Sequence, residues 1–131
     1  MKFTLVDQFL ECGPERAVAV KNVAASEEYL ADHFPSFPVL PGVFMLEAMI
    51  QAARGVLEAQ GLHRMMLGEV KALRYGTFVR PGEALRVEVD LVKTEDGRFT
   101  FKGAAQRIGV GTDEPPATAV SGRFTMRHAA P

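Results

Sequence analysis

The sequence predicts an α+β domain in which an antiparallel β-sheet wraps one long, buried central helix. Three observations lead there. Residues Val43–Gln60 (VFMLEAMIQAARGVLEAQ) are mostly Ala, Leu, Met, Glu and Gln, all good helix formers, and stop at Gly61. Beyond the helix the apolar period becomes two, most clearly from Ala84 to Lys93, where Leu85, Val87, Val89 and Leu91 alternate with Arg86, Glu88 and Asp90. Finally, 131 residues with 47% hydrophobic and 24% charged content suit one domain, read here as residues 1–131.

The elements follow in order. Arg16–Val23 alternates loosely and is rich in Val, as a strand requires. Ser26–Leu30 suits a short helical turn, with Ser26 as N-cap and acidic residues behind it. In the first three turns of the long helix, Val43, Phe44, Met45, Leu46, Ala48, Met49, Ile50, Ala52 and Ala53 leave almost no polar face. A helix apolar nearly all round is expected to be buried. Gly68–Val79 and Ala117–Arg127 read as strands flanking the pair Ala84–Lys93 and Arg98–Ile108, whose hairpin turn is Glu95-Asp96-Gly97. Gly109–Pro116 (GVGTDEPP) reads as a loop, since Gly and paired Pro defeat both helix and ladder.

Several function classes are disfavoured. Fifteen Lys and Arg against sixteen Asp and Glu, a formal net charge of −1, argue against a nucleic-acid binder. One cysteine, Cys12, excludes an internal disulfide framework and a multi-cysteine zinc site, and fits a reducing compartment. His63 and His128 lack partners at ligand spacing, so neither a metal nor a cofactor is expected. The N-terminal apolar run breaks at Asp7 and Gln8, and Val39–Leu46 contains Pro41 and Gly42 and falls far short of the ~20 residues of a membrane helix. A soluble, cytoplasmic protein is expected, with no membrane partner.

The chemistry-bearing residues cluster at the start of the helix. His33 opens the string HFPSFPVLPGVFMLEAMIQ, where Pro35, Pro38 and Pro41 stiffen the backbone by fixing φ. Glu47 is the one ionisable residue between Val43 and Ala53. Burying a carboxylate without partners is costly, so it is retained for a reason or faces a cavity. Each residue has a bland reading: a surface histidine, a helix-terminus charge, a turn glycine at Gly42. Together they make a coherent set of imidazole, carboxyl and free helix N–H groups.

The string resembles the active-site signature of the 3-hydroxyacyl-[acyl-carrier-protein] dehydratases, which have the hot-dog fold. It carries His33-Phe34-Pro35, Pro38, Pro41-Gly42-Val43 and Glu47-Ala48-Met49-Ile50-Gln51 at the family's His-to-Glu spacing. Leu5-Val6-Asp7 and Ala19-Val20-Lys21-Asn22-Val23 look like the family's first strands, and Arg74-Tyr75 and Val79-Arg80-Pro81-Gly82 like its later motifs. Ser36 and Asp32 stand where the family has glycine, and the Gly109–Pro116 loop is longer than the family's turn.

The resemblance implies elimination of water from a 3-hydroxyacyl thioester. His33 would take the C2 proton, the Gly42 N–H would face the developing enolate oxygen, and Glu47, as a protonated carboxyl, would give its proton to the leaving hydroxyl. Gln51, one turn on, is placed to orient Glu47. Hot-dog domains pair, so a homodimer or an assembly of dimers is expected, with His33 facing Glu47 of the partner. Phe34, Val39, Val43 and Phe44, and more weakly Tyr75 and Phe78, are candidate tunnel residues, with ordinary core as the plainer reading. Lys71, Arg74 and Arg80 form a basic cluster suited to an acidic acyl carrier protein, with solvated strand charges as the preferred reading. The alternative function is a catalytically silent subunit that binds acyl chains or partners, motivated by Ser36 and Asp32. A hot-dog thioesterase is disfavoured by the His-Phe-Pro loop.

Overall fold

The computed structural model describes residues 4–24, 39–109, 111 and 113–129. Six strands are described: β1 (Gln8–Cys12), β2 (Arg16–Asn22), β3 (Met65–Tyr75), β4 (Ala84–Glu95), β5 (Arg98–Ile108) and β6 (Ala117–His128). One helix among the described residues, α1 (Gly42–Ala59), packs against their sheet. The order across the sheet is β1-β2-β4-β5-β6-β3, with every neighbouring pair antiparallel. The expected α+β architecture of a helix wrapped by an antiparallel sheet is present.

The core forms where the period-two faces meet the helix. Leu85, Val87 and Val89 of β4 are fully buried, together with Ala17 and Ala19 of β2 and Phe101 and Ala105 of β5. Met49, Ala52, Ala53, Val56 and Leu57 of α1 are buried against this side. Phe101 and Phe124 stack with ring centroids 5.6 Å apart, an offset arrangement that adds to their area burial. On the opposite face of β4, Asp90 accepts two hydrogen bonds from Arg16 Nη1 on β2, at 2.8 and 2.9 Å.

The β4–β5 hairpin turns where the sequence puts it. Asp96 and Gly97 both take positive φ, 53° and 75°, which a two-residue turn needs if it is to match strand twist. The Gly109–Pro116 loop lies between β5 and β6, and its described residues take no regular structure.

Three expectations need correction. The first strand is Gln8–Cys12, not Leu5–Asp7: Leu5 is instead buried in the core, its N–H bonded to Gln51 Oε1 at 2.8 Å. The strand expected at Gly68–Val79 is Met65–Tyr75. Its register against β6 shifts twice, between Leu67 and Val70 and between Lys71 and Arg74, and Ala72 sits at φ 54°. Such bulges break the alternation from which strand limits are read. The third concerns α1, which is not buried all round. Val43 is 64% exposed, while Phe44 and Leu46 pack against the core but stay only partly buried, so the first turns are not enclosed on every side. The helical turn expected at Ser26–Leu30 lies outside the described residues.

Candidate active site

The site is organised by the first two turns of α1. Pro41 is the N-cap, with φ −59° and no side-chain capping hydrogen bond, and the first turn holds no acidic residue. The Pro41 carbonyl accepts from the N–H groups of Phe44 (3.0 Å) and Met45 (3.3 Å). The N–H groups of Gly42 and Val43 have no acceptor among the described residues, as expected of a helix start without a capping side chain. They stand at the positive end of the helix macrodipole.

Gly42 is needed there for closeness. A Cβ at this position would come within 2.8 Å of Tyr75 Cε1 and 3.0 Å of Cζ, so the phenol ring of β3 lies directly on the glycine. Tyr75 is half-exposed at its outer edge, and burial of the rest pushes its phenol above the usual tyrosine range. Beside this contact is a small, mostly apolar cavity of about 230 Å³, lined by Val39, Pro41, Gly42, Met45, Tyr75 and Phe78 among others. Val39 is buried at 2% exposure, whereas Phe78 is exposed.

Glu47 opens elsewhere. It lines a groove of about 690 Å³ with Val43, Phe44, Leu46, Gln51 and Arg54. Its Oε1 accepts from Gln51 Nε2 at 3.4 Å and lies 3.5 Å from Arg54 Nη1. Both neighbours are anchored in turn: Gln51 Oε1 accepts the Leu5 N–H, and Arg54 Nε donates to the Met65 carbonyl at 3.2 Å. The carboxylate therefore faces a groove and is met by Gln51, in keeping with the reading from sequence, and Arg54 is a further neighbour which that reading did not include. Arg54 escaped that reading because it lies two full turns beyond Glu47, although the i, i+7 spacing puts both on one helical face.

Gly42 and Glu47 are five positions apart, which at 3.6 residues per turn separates them by about 140° around the axis. Within one chain they line two different cavities.

The remaining candidates are spread out. Lys71 lies in a polar groove with Lys93 and Arg98 and sits 3.9 Å from Glu69 Oε2. Arg74 is exposed on β3, which among the described strands pairs with β6 alone and so stands at an edge of their sheet. Arg80 sits in the turn before β4, where its N–H donates to Glu83 Oε1 at 2.8 Å. His33, Phe34, Asp32 and Ser36 lie outside the described residues.

A family model described as ApeI-like, ApeI dehydratase, matches residues 11–112. A 3-hydroxyacyl-[acyl-carrier-protein] dehydratase FabZ from Geobacillus thermodenitrificans is 39% identical over 108 residues, covering 79% of this chain and 74% of the relative. The chain belongs to the hot-dog dehydratase family. A second FabZ dehydratase, from Klebsiella pneumoniae, is also 39% identical, over 79% of this chain and 72% of its own length. Among solved structures, the dehydratase heterocomplex ApeI:P from Xenorhabdus doucetiae aligns with TM-score 0.71 over 97% of this chain and 84% of that one, at 21% identity. The smu.793 protein of Streptococcus mutans, solved with acetyl CoA, gives 0.73 over 97% and 90% at 12% identity. At such identities the likeness is one of fold, and it shows the hot-dog architecture independently of the sequence match. No helix among the described residues of this dehydratase-family chain is long and apolar enough to cross a membrane.

Proposed function

We propose that the chain is a hydro-lyase that removes water from 3-hydroxyacyl thioesters of acyl carrier protein and leaves the trans-2-enoyl thioester. His33 takes the C2 proton, and the electron pair left behind forms the C2=C3 double bond as the C3–O bond breaks. Glu47 gives its proton to the departing hydroxyl, which leaves as water. Between turnovers the imidazolium proton and the carboxylate are reset through solvent. The C2 proton of a thioester is too weakly acidic for an unassisted imidazole, so the developing enolate oxygen needs a donor already aimed at it. The Gly42 N–H fills that role, and a donor of this kind is worth about 3–4 kcal/mol in the transition state.

One observation carries the arrangement. Gly42 and Glu47 line separate cavities of one chain, about 140° apart on one helix. One chain therefore does not offer both groups to one substrate. A two-fold pair would bring Glu47 of one protomer across to Gly42 and His33 of the other. The exposed side chain of Val43 at the start of α1 supports the same pairing, as does the place of β3 at the edge of the sheet formed by the described strands. Val39, Tyr75 and Phe78 then line the acyl path beside Gly42, while Val43 and Phe44 lie across the helix beside Glu47. The acyl carrier protein is the macromolecular partner. Lys71, Arg74 and Arg80 are read as solvated charges, since Lys71 sits in a separate groove beside Glu69.

Complementation tests this reading. His33→Ala and Glu47→Gln chains, each inactive alone, are mixed under conditions that exchange subunits. Absorbance of the conjugated enoyl thioester is then followed with 3-hydroxyacyl carrier protein as substrate. A shared site returns about a quarter of wild-type turnover, the share of intact sites in randomly paired dimers. No recovery from a mixture shown to contain mixed dimers refutes the shared site, and a fully active His33→Ala chain refutes the base.

A further inference from the structure

The segment that carries His33 leaves the described chain at Ala24 and re-enters it at Val39. Both of its ends are tied to one short stretch, residues 79–83. The Val23 N–H donates to the Glu83 carbonyl at 3.0 Å, the Gly82 N–H to the Val23 carbonyl at 2.8 Å, and the Leu40 N–H to the Val79 carbonyl at 2.8 Å. Whatever fixes residues 79–83 therefore fixes both ends of the His33 segment.

The Glu83 side chain does this from two directions. Its Oε1 accepts the Arg80 N–H at 2.8 Å and closes the turn, while its Oε2 faces Arg107 Nε of β5 at 3.7 Å. The two side chains are only 18% and 14% exposed, so water screens the pair weakly. Arg107 Nε is buried and makes no hydrogen bond among the described residues, which leaves the Glu83 charge as its electrostatic counterpart there. On its other side, Arg107 Nη2 reaches Glu114 Oε2 at 3.2 Å and the Pro115 carbonyl at 3.5 Å. Glu114 and Pro115 belong to the long Gly109–Pro116 loop, to which the dehydratase reading gives no role.

We propose that Arg107 and Glu83, braced by Glu114, form a positioning clamp for the catalytic base: they hold residues 79–83, and through them both ends of the His33 segment. The clamp touches no substrate and rests on the assignment of His33 made above. A buried ion pair is weak evidence for stability, because its desolvation cost can cancel its attraction, so a role in fixing geometry is the better account of this one. Geometry matters here because a base displaced by about 1 Å can lose on the order of a hundredfold in rate.

The full-length chain is tested with Arg107→Met, Arg107→Lys, Glu83→Gln and Glu114→Gln. Turnover is corrected for the folded fraction, and KM is measured with the 3-hydroxyacyl carrier protein. Arg107→Met and Glu83→Gln are expected to lower kcat by about ten- to a hundredfold, with KM within about twofold, and Arg107→Lys to recover most of the loss. Glu114→Gln is expected to have a smaller effect in the same direction. Should Arg107→Met fail to fold, the two glutamine variants, which keep size and hydrogen-bonding capacity, carry the test. Loss of rate that only tracks the folded fraction, or a KM that rises while kcat holds, overturns the clamp. His33→Ala in the same assay separates the two claims. If it is dead while Arg107→Met and Glu83→Gln turn over like wild type, the clamp alone fails; if it is active, the base assignment fails and the clamp with it.

Discussion

Replacing Glu47 by Gln separates chemistry from architecture because the two predict losses of different size. The Glu47 and Arg54 side chains are 38% and 40% exposed and 3.5 Å apart. An ion pair this open contributes at most about 1 kcal/mol. Glutamine keeps an oxygen to accept from Gln51 and a side chain of nearly the same shape, so the fold loses little else. For a chain of this size that cost lowers Tm by no more than roughly 4 °C. Removing a general acid is a larger perturbation, typically about 10²–10⁴ in rate, which is on the order of 3–5 kcal/mol of activation free energy. The chemical effect should exceed the structural one at least threefold.

The assay follows the enoyl absorbance at saturating 3-hydroxyacyl carrier protein, beside thermal unfolding and the oligomeric state of the same sample. Arg54→Met is the control, since it deletes the other half of the ion pair and leaves the carboxyl in place. Glu47→Gln is expected to unfold within a few degrees of wild type, keep its assembly state and lose turnover by at least about a hundredfold. Turnover above about a tenth of wild type, or a loss that follows dissociation into monomers, would refute the acid role and leave Glu47 as an architectural residue.

Other perturbations test neighbouring parts of the same picture. Gly42→Ala sets a methyl 2.8 Å from the Tyr75 ring, which must retreat by about 0.7 Å to reach ordinary contact. Because that ring is half-exposed, Tm should change by only a few degrees. Alanine keeps the N–H, but the methyl and the displaced ring crowd the approach to it and should lower turnover by about a hundredfold. Unchanged turnover counts against a thioester oxygen reaching this N–H. Ala72→Gly relieves a left-handed backbone that costs an L-residue roughly 1–2 kcal/mol, against about 0.5–1 kcal/mol of added chain entropy in the unfolded state. A higher midpoint in urea is expected, and a lower one would show that the bulge is not strained. Burial holds the Tyr75 proton more tightly, so the 295 nm absorbance lost in Tyr75→Phe should belong to a phenol that titrates above the usual range. Titration at or below that range would mean that the phenol is more open to water than its packing implies.

What the sequence made legible was whatever obeyed a short period or a local rule. The alternation of Leu85, Val87 and Val89 locates β4, Asp96-Gly97 locates its turn, and the helix-forming run from Val43 locates α1 to within one residue at each end. Elements whose partners lie far along the chain were harder. Residues Gln8–Cys12 are exposed at every position and show no alternation, because β1 is an edge strand that gains its place from pairing with β2. Composition shows that the start of α1 is apolar, but not whether its own sheet or another surface covers Val43 and Phe44. The site divides in the same way. Glu47 stands out as a lone carboxyl in an apolar run. Arg54 becomes a neighbour only when the helix is built, and Glu83 and Arg107 meet only when β4 and β5 pair.

The start of α1 also shows why stability and activity are separable in this fold. A helix of this kind is ordinarily capped by Ser, Thr, Asp or Asn, whose side chain satisfies an early N–H and adds about 1 kcal/mol. Here the cap is Pro41, which has no acceptor in its side chain, and no acidic residue occupies the first turn. The stabilisation that a cap would give is forgone, and the Gly42 and Val43 N–H groups stay open at the positive end of the dipole. A capping carboxylate would compete with a thioester oxygen for those donors and cancel the field that makes them useful. Stability is supplied instead farther along the helix, by Met49, Ala52, Ala53, Val56 and Leu57 against the sheet, where no substrate is expected to reach. The N-terminal end of the helix is thus left under-satisfied in a fold whose centre is closely packed, and that division lets residues 41–47 be tuned for chemistry at little cost to the core.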